Sequence, residues 1–265
     1  MEIRVLASGS KGNIISLITD NKHILIDVGI SFTKINKKLT EFNLKVQSVS
    51  HVILTHEHSD HTYGLRILSN KHKNFKLFLT RGTMDGINLE TKKSINDYEF
   101  IYPEKEFMID NISIYPILIS HDANEPIGLV IKSNGKKAVF ISDTGYIHKD
   151  YFDIISDADF YYLEANHDEI MLMQSRNRPH ATKMRILGER GHLSNNEATR
   201  ILNEVIKLKR PVWAIAHISE DCNSVEKIEQ AIVKNFSNPF KSKVIYTSQE
   251  STEVIKVWKL SQLVK

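Results

Sequence analysis

Between His56 and His61 the chain places three histidines and an aspartate in the spacing His-x-His-x-Asp-His. The apolar run Val52-Ile53-Leu54 comes just before it, and Leu65, Ile67 and Leu68 follow among polar residues. A short apolar run bounded by polar residues reads as a buried strand. The cluster then lies on a loop at the end of that strand, where side chains converge on one point from a rigid base. Neutral imidazoles and carboxylates bind borderline divalent ions such as zinc. A solvated, histidine-rich loop accounts for any one of these residues and poorly for all of them at this spacing. Read alone, the loop says only that a metal site is expected, and further ligand-type residues at other strand ends would be its natural partners.

Such ends recur along the chain. Residues 3–6, 14–18 and 23–27 read as a meander of strands, and Asp27 closes the third. A carboxylate there either caps the next turn or stands behind a metal-binding histidine and orients it. The spacing of Ile35, Leu39 and Phe42 predicts a surface helix over 33–43. A strand at 112–119 runs into His121. Strands at 127–132 and 137–142 pair through Asn134-Gly135, a favoured hairpin turn, and the second is followed by Asp143. A helical stretch near 147–155 leads to a strand at 160–163 that ends at Glu164, with His167 close behind. A strand at 212–216 ends at His217. Asn223 and Glu226 cap a last helix, and strands near 243–246 and 254–258 close the chain.

Two places invite a phosphate. The turn from Ala7 to Asn13 lacks the Lys-Ser of a Walker loop, so it is a tight glycine turn first, with Ser8 a weak phosphate contact. Ser194 and Glu197 form a capping box that opens an amphipathic helix running to Ile206. A helix N-terminus favours anions, which makes Ser194 and Asn195 weak phosphate contacts and sets His192 just ahead of them. The basic stretch at 176–190, taken alone, is a solvated face.

Composition bounds the setting. The single cysteine, Cys222, excludes an internal disulfide and points to a reducing, cytoplasmic compartment. No apolar stretch approaches the roughly 18 residues of a membrane span, and the N-terminus opens into strand-like sequence rather than a signal peptide. A net charge of +3 permits nucleic-acid binding and is too weak to demonstrate it. No linker or repeat divides the 265 residues, so one domain over 1–265 is expected, with one site along one edge of its sheets.

In order, Asp27, His56-x-His58-x-Asp60-His61, His121, Asp143 and His217 resemble the motifs of the metallo-β-lactamase superfamily, over nearly the whole chain. The resemblance implies an α/β fold (α+β in some schemes), a four-layer αββα sandwich of two mixed sheets with helices outside. It implies two divalent ions, zinc or manganese. One would be held by His56, His58 and His121, the other by Asp60, His61 and His217, with Asp143 bridging them and Asp27 behind. Within the superfamily, Ser8-Gly9-Ser10-x-Gly12-Asn13, His121-Asp122-Ala123, the stretch from Leu163 to Asp168 and the stretch from Gly191 to Asn195 resemble the YycJ/WalJ group. That likeness implies a 5′–3′ exonuclease acting on DNA, with RNA the less favoured nucleic acid. Gly191-His192-Leu193-Ser194 also resembles the histidine loop of tRNA 3′-processing nucleases, which makes His192 the candidate general acid. Asp60 would steer the nucleophile's proton while serving as a ligand. Two ions against two carboxylates leave a charge of about +2, suited to a phosphodiester. A small thioester or lactone is the alternative substrate, because a fold does not choose its chemistry. A regulatory binding protein that kept the fold is a second alternative. His167 and His180 receive no role.

Overall fold

The computed structural model describes residues 1–250 and 254–256. Six strands in succession build one sheet: β1 (Glu2–Ala7), β2 (Ile14–Thr19), β3 (Lys22–Ile26), β4 (His51–Ile53), β5 (Lys76–Leu79) and β6 (Tyr98–Phe100). The next seven build a second sheet: β7 (Phe107–Ile109), β8 (Ile112–Leu118), β9 (Ile127–Ser133), β10 (Lys136–Ile141), β11 (Phe160–Glu164), β12 (Val212–Ala216) and β13 (Lys243–Tyr246). The strand β14 (Val254–Lys256) returns to the first sheet beside β1. Residues 257–258 of the strand expected over 254–258 lie outside the described residues.

Both faces of each sheet are buried, which is why the strands are near-continuous apolar runs rather than alternating ones. Successive side chains point to opposite faces. Along β10, Ala138 and Phe140 enter the core between the sheets, while Val139 and Ile141 meet the outer helices. Along β3, Ile24 and Ile26 face inward and Leu25 outward. Helices Asn195–Val205 and Val225–Asn235 cover the second sheet with Ala198, Leu202, Ile228 and Ile232. Helix Phe32–Glu41 covers the first with Ile35 and Leu39. The molecule is the four-layer αββα sandwich that the resemblance implied.

The two sheets share one scheme. In the first, β14, β1, β2 and β3 are antiparallel, and β3 to β6 are parallel. In the second, β7 to β10 are antiparallel, and β10 to β13 are parallel. Two details differ from expectation. Ser224, not Asn223, caps the last helix by accepting from the Lys227 N–H; Asn223 is instead drawn inward to pair with Asn195. The stretch near 147–155 is a 3-10 turn, Lys149–Tyr151, followed by a single helical turn, Phe152–Ile155.

Candidate metal centre

The ligand-type residues lie just past the ends of sheet strands. Asp27 follows β3, the His56–His61 loop follows β4, His121 follows β8, Asp143 follows β10 and His217 follows β12. In open α/β sheets the carboxyl ends of parallel strands are where sites form. Asp27, Asp143 and His217 each adopt a left-handed backbone, with φ of 58°, 56° and 51°. That conformation costs an L-residue roughly 1–2 kcal/mol, and here it turns the chain sharply at the strand exit. The loop approaches closely at Gly29, where an added Cβ would lie 1.6 Å from the Asp60 carbonyl oxygen.

Three groups of ligand atoms form: His56, His58 and His121; His56, His61 and Asp143; Asp143, His192 and His217. Within each group the atoms lie within 4.8 Å of one another. Asp143 spans the centre, with Oδ2 3.2 Å from His61 Nε2 and Oδ1 3.3 Å from His217 Nε2. Asp60 Oδ2 sits 3.6 Å from His61 Nε2 and 3.7 Å from His217 Nε2. Behind His61, Asp27 Oδ2 accepts from Nδ1 at 2.8 Å, so Nε2 is turned toward the cluster. Asp27 is fixed in turn by the Thr55 N–H at 2.8 Å and the Thr55 hydroxyl at 2.9 Å. The structure therefore brings together all seven residues expected as ligands, and puts Asp27 where a residue orienting His61 belongs.

This donor set fits a divalent metal. His56 Nε2, His121 Nδ1, His217 Nε2 and Asp143 Oδ2 are buried without a hydrogen-bond partner. A buried polar atom left unpaired costs about 1–3 kcal/mol, and four such atoms in one cluster want a common partner. Burial would raise the Asp143 carboxyl, yet His217 and His61 hold it well below the ordinary carboxylate range. Burial would lower His217, yet Asp143 and Asp60 push it up to about 9. Those protons leave when a metal binds.

Glu164, which the sequence marked only as a strand end, lies against the cluster. Glu164 is fully buried and accepts from the Thr144 N–H at 2.7 Å, the Leu193 N–H at 3.2 Å and His192 Nδ1 at 3.0 Å. His192 stacks on His217 with ring centroids 5.1 Å apart. Glu164 engages Nδ1, the ring nitrogen on its own side. The Asn166 amide lies 3.0 Å from His217 Nδ1, and Asn13 Nδ2 lies 3.0 Å from His61 Nε2. A carboxylate ending a fully apolar strand was the available signal for Glu164; nothing local marks Asn13 or Asn166.

Each of the three weak phosphate contacts has hydrogen-bond partners within the fold. Ser8 is buried; its hydroxyl meets the Tyr162 hydroxyl at 2.8 Å and accepts from the His217 N–H at 2.9 Å. Ser194 caps its helix through Glu197, and its own N–H goes to the Glu197 carboxylate. The Asn195 side chain pairs with Asn223, and its N–H donates to the His167 carbonyl. His167 is buried, and His180 is exposed.

Two apposed mixed sheets with a buried His/Asp cluster at their strand exits define a metallo-β-lactamase-fold protein. Residues 22–215 match the family model described as a beta-lactamase superfamily domain. Exodeoxyribonuclease YycJ of Bacillus anthracis is 31% identical, over 88% of this chain and 88% of that protein. Exodeoxyribonuclease WalJ of Streptococcus pneumoniae is 30% identical, over 88% of this chain and 87% of that protein. The metallo-beta-lactamase fold protein YhfI from Bacillus subtilis superposes with a TM-score of 0.71 at 14% identity, covering 96% of this chain and 99% of that one, a likeness of fold. The chain belongs to the beta-lactamase superfamily and, within it, to the YycJ/WalJ-type proteins; it is a metal-dependent hydrolase. Among the described residues, no helix is long and apolar enough to cross a membrane.

Proposed function

We propose that the chain hydrolyses phosphodiester bonds in nucleic acid, as a 5′–3′ exonuclease acting on DNA, with two divalent ions, zinc or manganese. The observation that carries this reading is the Glu164–His192 pair beside the ligand cluster, in a chain whose curated relatives are named exodeoxyribonucleases. His56, His58 and His121 would hold one ion, Asp60, His61 and His217 the other, with Asp143 between them. Two such ions lower the pKa of a water toward 7 and clamp the attacking and leaving oxygens of an in-line displacement.

The residues divide the remaining work. Asp27 holds the His61 ring so that Nε2 faces the centre. Asn166 and Ser8 hold His217 through its ring nitrogen, carbonyl and N–H. Asp60, part-exposed beside His61 and His217, receives the proton released by the nucleophile. His192 donates from Nε2 to the departing oxygen, and Glu164 steadies the ring as that proton moves. A positioned acid of this kind is worth about 10²–10⁴ in rate.

His192→Ala should keep the full metal content, read by elemental analysis, while turnover on labelled DNA falls about 10²–10⁴-fold. Loss of metal together with activity would move His192 into the ligand set and remove it as the acid.

A further inference from the structure

We propose that a single-stranded nucleic acid leaves the metal centre along a groove beside Asp60, stacking a base on Tyr63 and placing phosphates near Lys34, Lys11 and Arg66. The proposal rests on the nuclease reading above and names the track its substrate would follow.

Two hollows meet at Tyr63. One, of about 350 Å³, has Asp60 in its wall, together with Lys11, Lys34 and serines 10, 31 and 59. The other, of about 660 Å³, continues past Tyr63 to Arg66. Ser31, Ser59 and Tyr63 line both, so the hollows adjoin and together run from Asp60 past Tyr63 to Arg66. A third hollow, of about 320 Å³, shares Ser10 and Lys11 with the first.

Tyr63 is 68% exposed only two residues after His61. Its backbone is fixed, because its N–H donates to the Ser59 carbonyl at 2.8 Å and the following Gly64 N–H donates to Val28 at 2.8 Å. The backbone thus carries a largely exposed ring at a fixed place beside the His/Asp cluster. A lone exposed tyrosine is ordinary; one lining two adjoining hollows, one of them walled by Asp60, is the form of a base-stacking platform.

The charges agree. Lys34 has no ion pair or side-chain hydrogen bond among the described residues. Lys11 pairs with Glu220, and Arg66 with Glu90, at solvent-exposed positions where such pairs are weak and exchange readily for a phosphate. Bases inside a duplex are already stacked, so Tyr63 selects for an unpaired strand.

The test is fluorescence anisotropy with the metal-loaded protein and a labelled, phosphorothioate-linked thymidine strand of about 12 nucleotides, against a blunt duplex of the same linkage. Tyr63→Ala should weaken single-strand binding about tenfold or more while leaving the duplex unchanged, and Tyr63→Trp should bind like the parent. Lys34→Glu should weaken binding and flatten the salt dependence, reducing the logarithmic slope by roughly 0.7 for each phosphate that is no longer neutralised. Parent-like binding of the single strand by both Tyr63→Ala and Lys34→Glu, or equal weakening on duplex, would overturn the track. If the parent instead binds through Tyr63 and Lys34 but cleaves no unmodified strand, the track stands and the nuclease reading falls.

Discussion

Asp27 sets the direction in which His61 faces. Its carboxylate accepts a hydrogen bond from Nδ1 and is itself held by Thr55, so the imidazole presents Nε2 to the centre. Partners that orient a metal-ligating histidine are typically worth 10–100-fold in metal affinity. Asp27→Ala should therefore weaken metal binding by about that factor, measured by competition with a chelating dye, with the far-ultraviolet spectrum unchanged. Affinity equal to the parent's would show that Thr55 and the loop alone orient the ring. At this scale the sequence was most legible for residues whose type is costly to bury. A histidine or aspartate ending an apolar strand draws attention to itself, and Asp27, His121, Asp143 and His217 were noticed on that ground, while their roles came from the resemblance to the metallo-β-lactamase superfamily. Asn13 and Asn166 carry no such signal, because an asparagine in a turn is ordinary and its aim depends on strands far away in sequence. Ser8, Ser194 and Asn195 were marked by their polar groups, and what the sequence did not show is the partners that each finds within the fold.

The elements were legible where local chemistry decides them. The capping box from Ser194 to Glu197 needs only four residues, and it forms as written. The cap of the last helix depends on a tertiary pull, since Asn223 is drawn to Asn195 and leaves Ser224 to do the capping. His23 on β3 carries a second tertiary effect. It is 5% exposed, with Nε2 2.9 Å from the Ser16 hydroxyl on β2 and Nδ1 2.8 Å from the Ser48 hydroxyl. Burial, with Arg4 nearby, lowers its pKa to about 4. The unfolded chain titrates near 6.5 and so takes up the proton first as pH falls. Stability contributed by the neutral ring is full above pH 6.5 and is lost between 6.5 and about 4, by about 3 kcal/mol in all. Urea unfolding at pH 7 and pH 4.5 should show His23→Gln losing less stability than the parent over that interval. Equal losses in the two proteins would mean that the ring is already protonated in the folded state.

The whole molecule repeats one device. Each sheet has an antiparallel half and a parallel half, and the parallel strands of both point their carboxyl ends at one edge. No sequence repeat announces this, because the likeness lies in backbone direction and pairing rather than in side chains. What the sequence did expose was the consequence, ligand-type residues at successive strand exits, which suggested one site along one sheet edge; the sandwich itself was implied by the resemblance those residues carry. The same arrangement explains why a buried cluster of like donors is tolerated. Two sheets with both faces packed fix the strand exits, and a bound metal would satisfy atoms that are otherwise orphaned. The central claim is that this edge performs metal-dependent cleavage of DNA from the 5′ end. The most direct measurement is digestion of DNA labelled at either end, single- and double-stranded, with and without a 5′ phosphate, across zinc and manganese and after chelation. The account predicts stepwise shortening from the 5′ end that requires the metal and stops on chelation. No cleavage of any strand under any metal, with hydrolysis of a thioester or lactone instead, would contradict it.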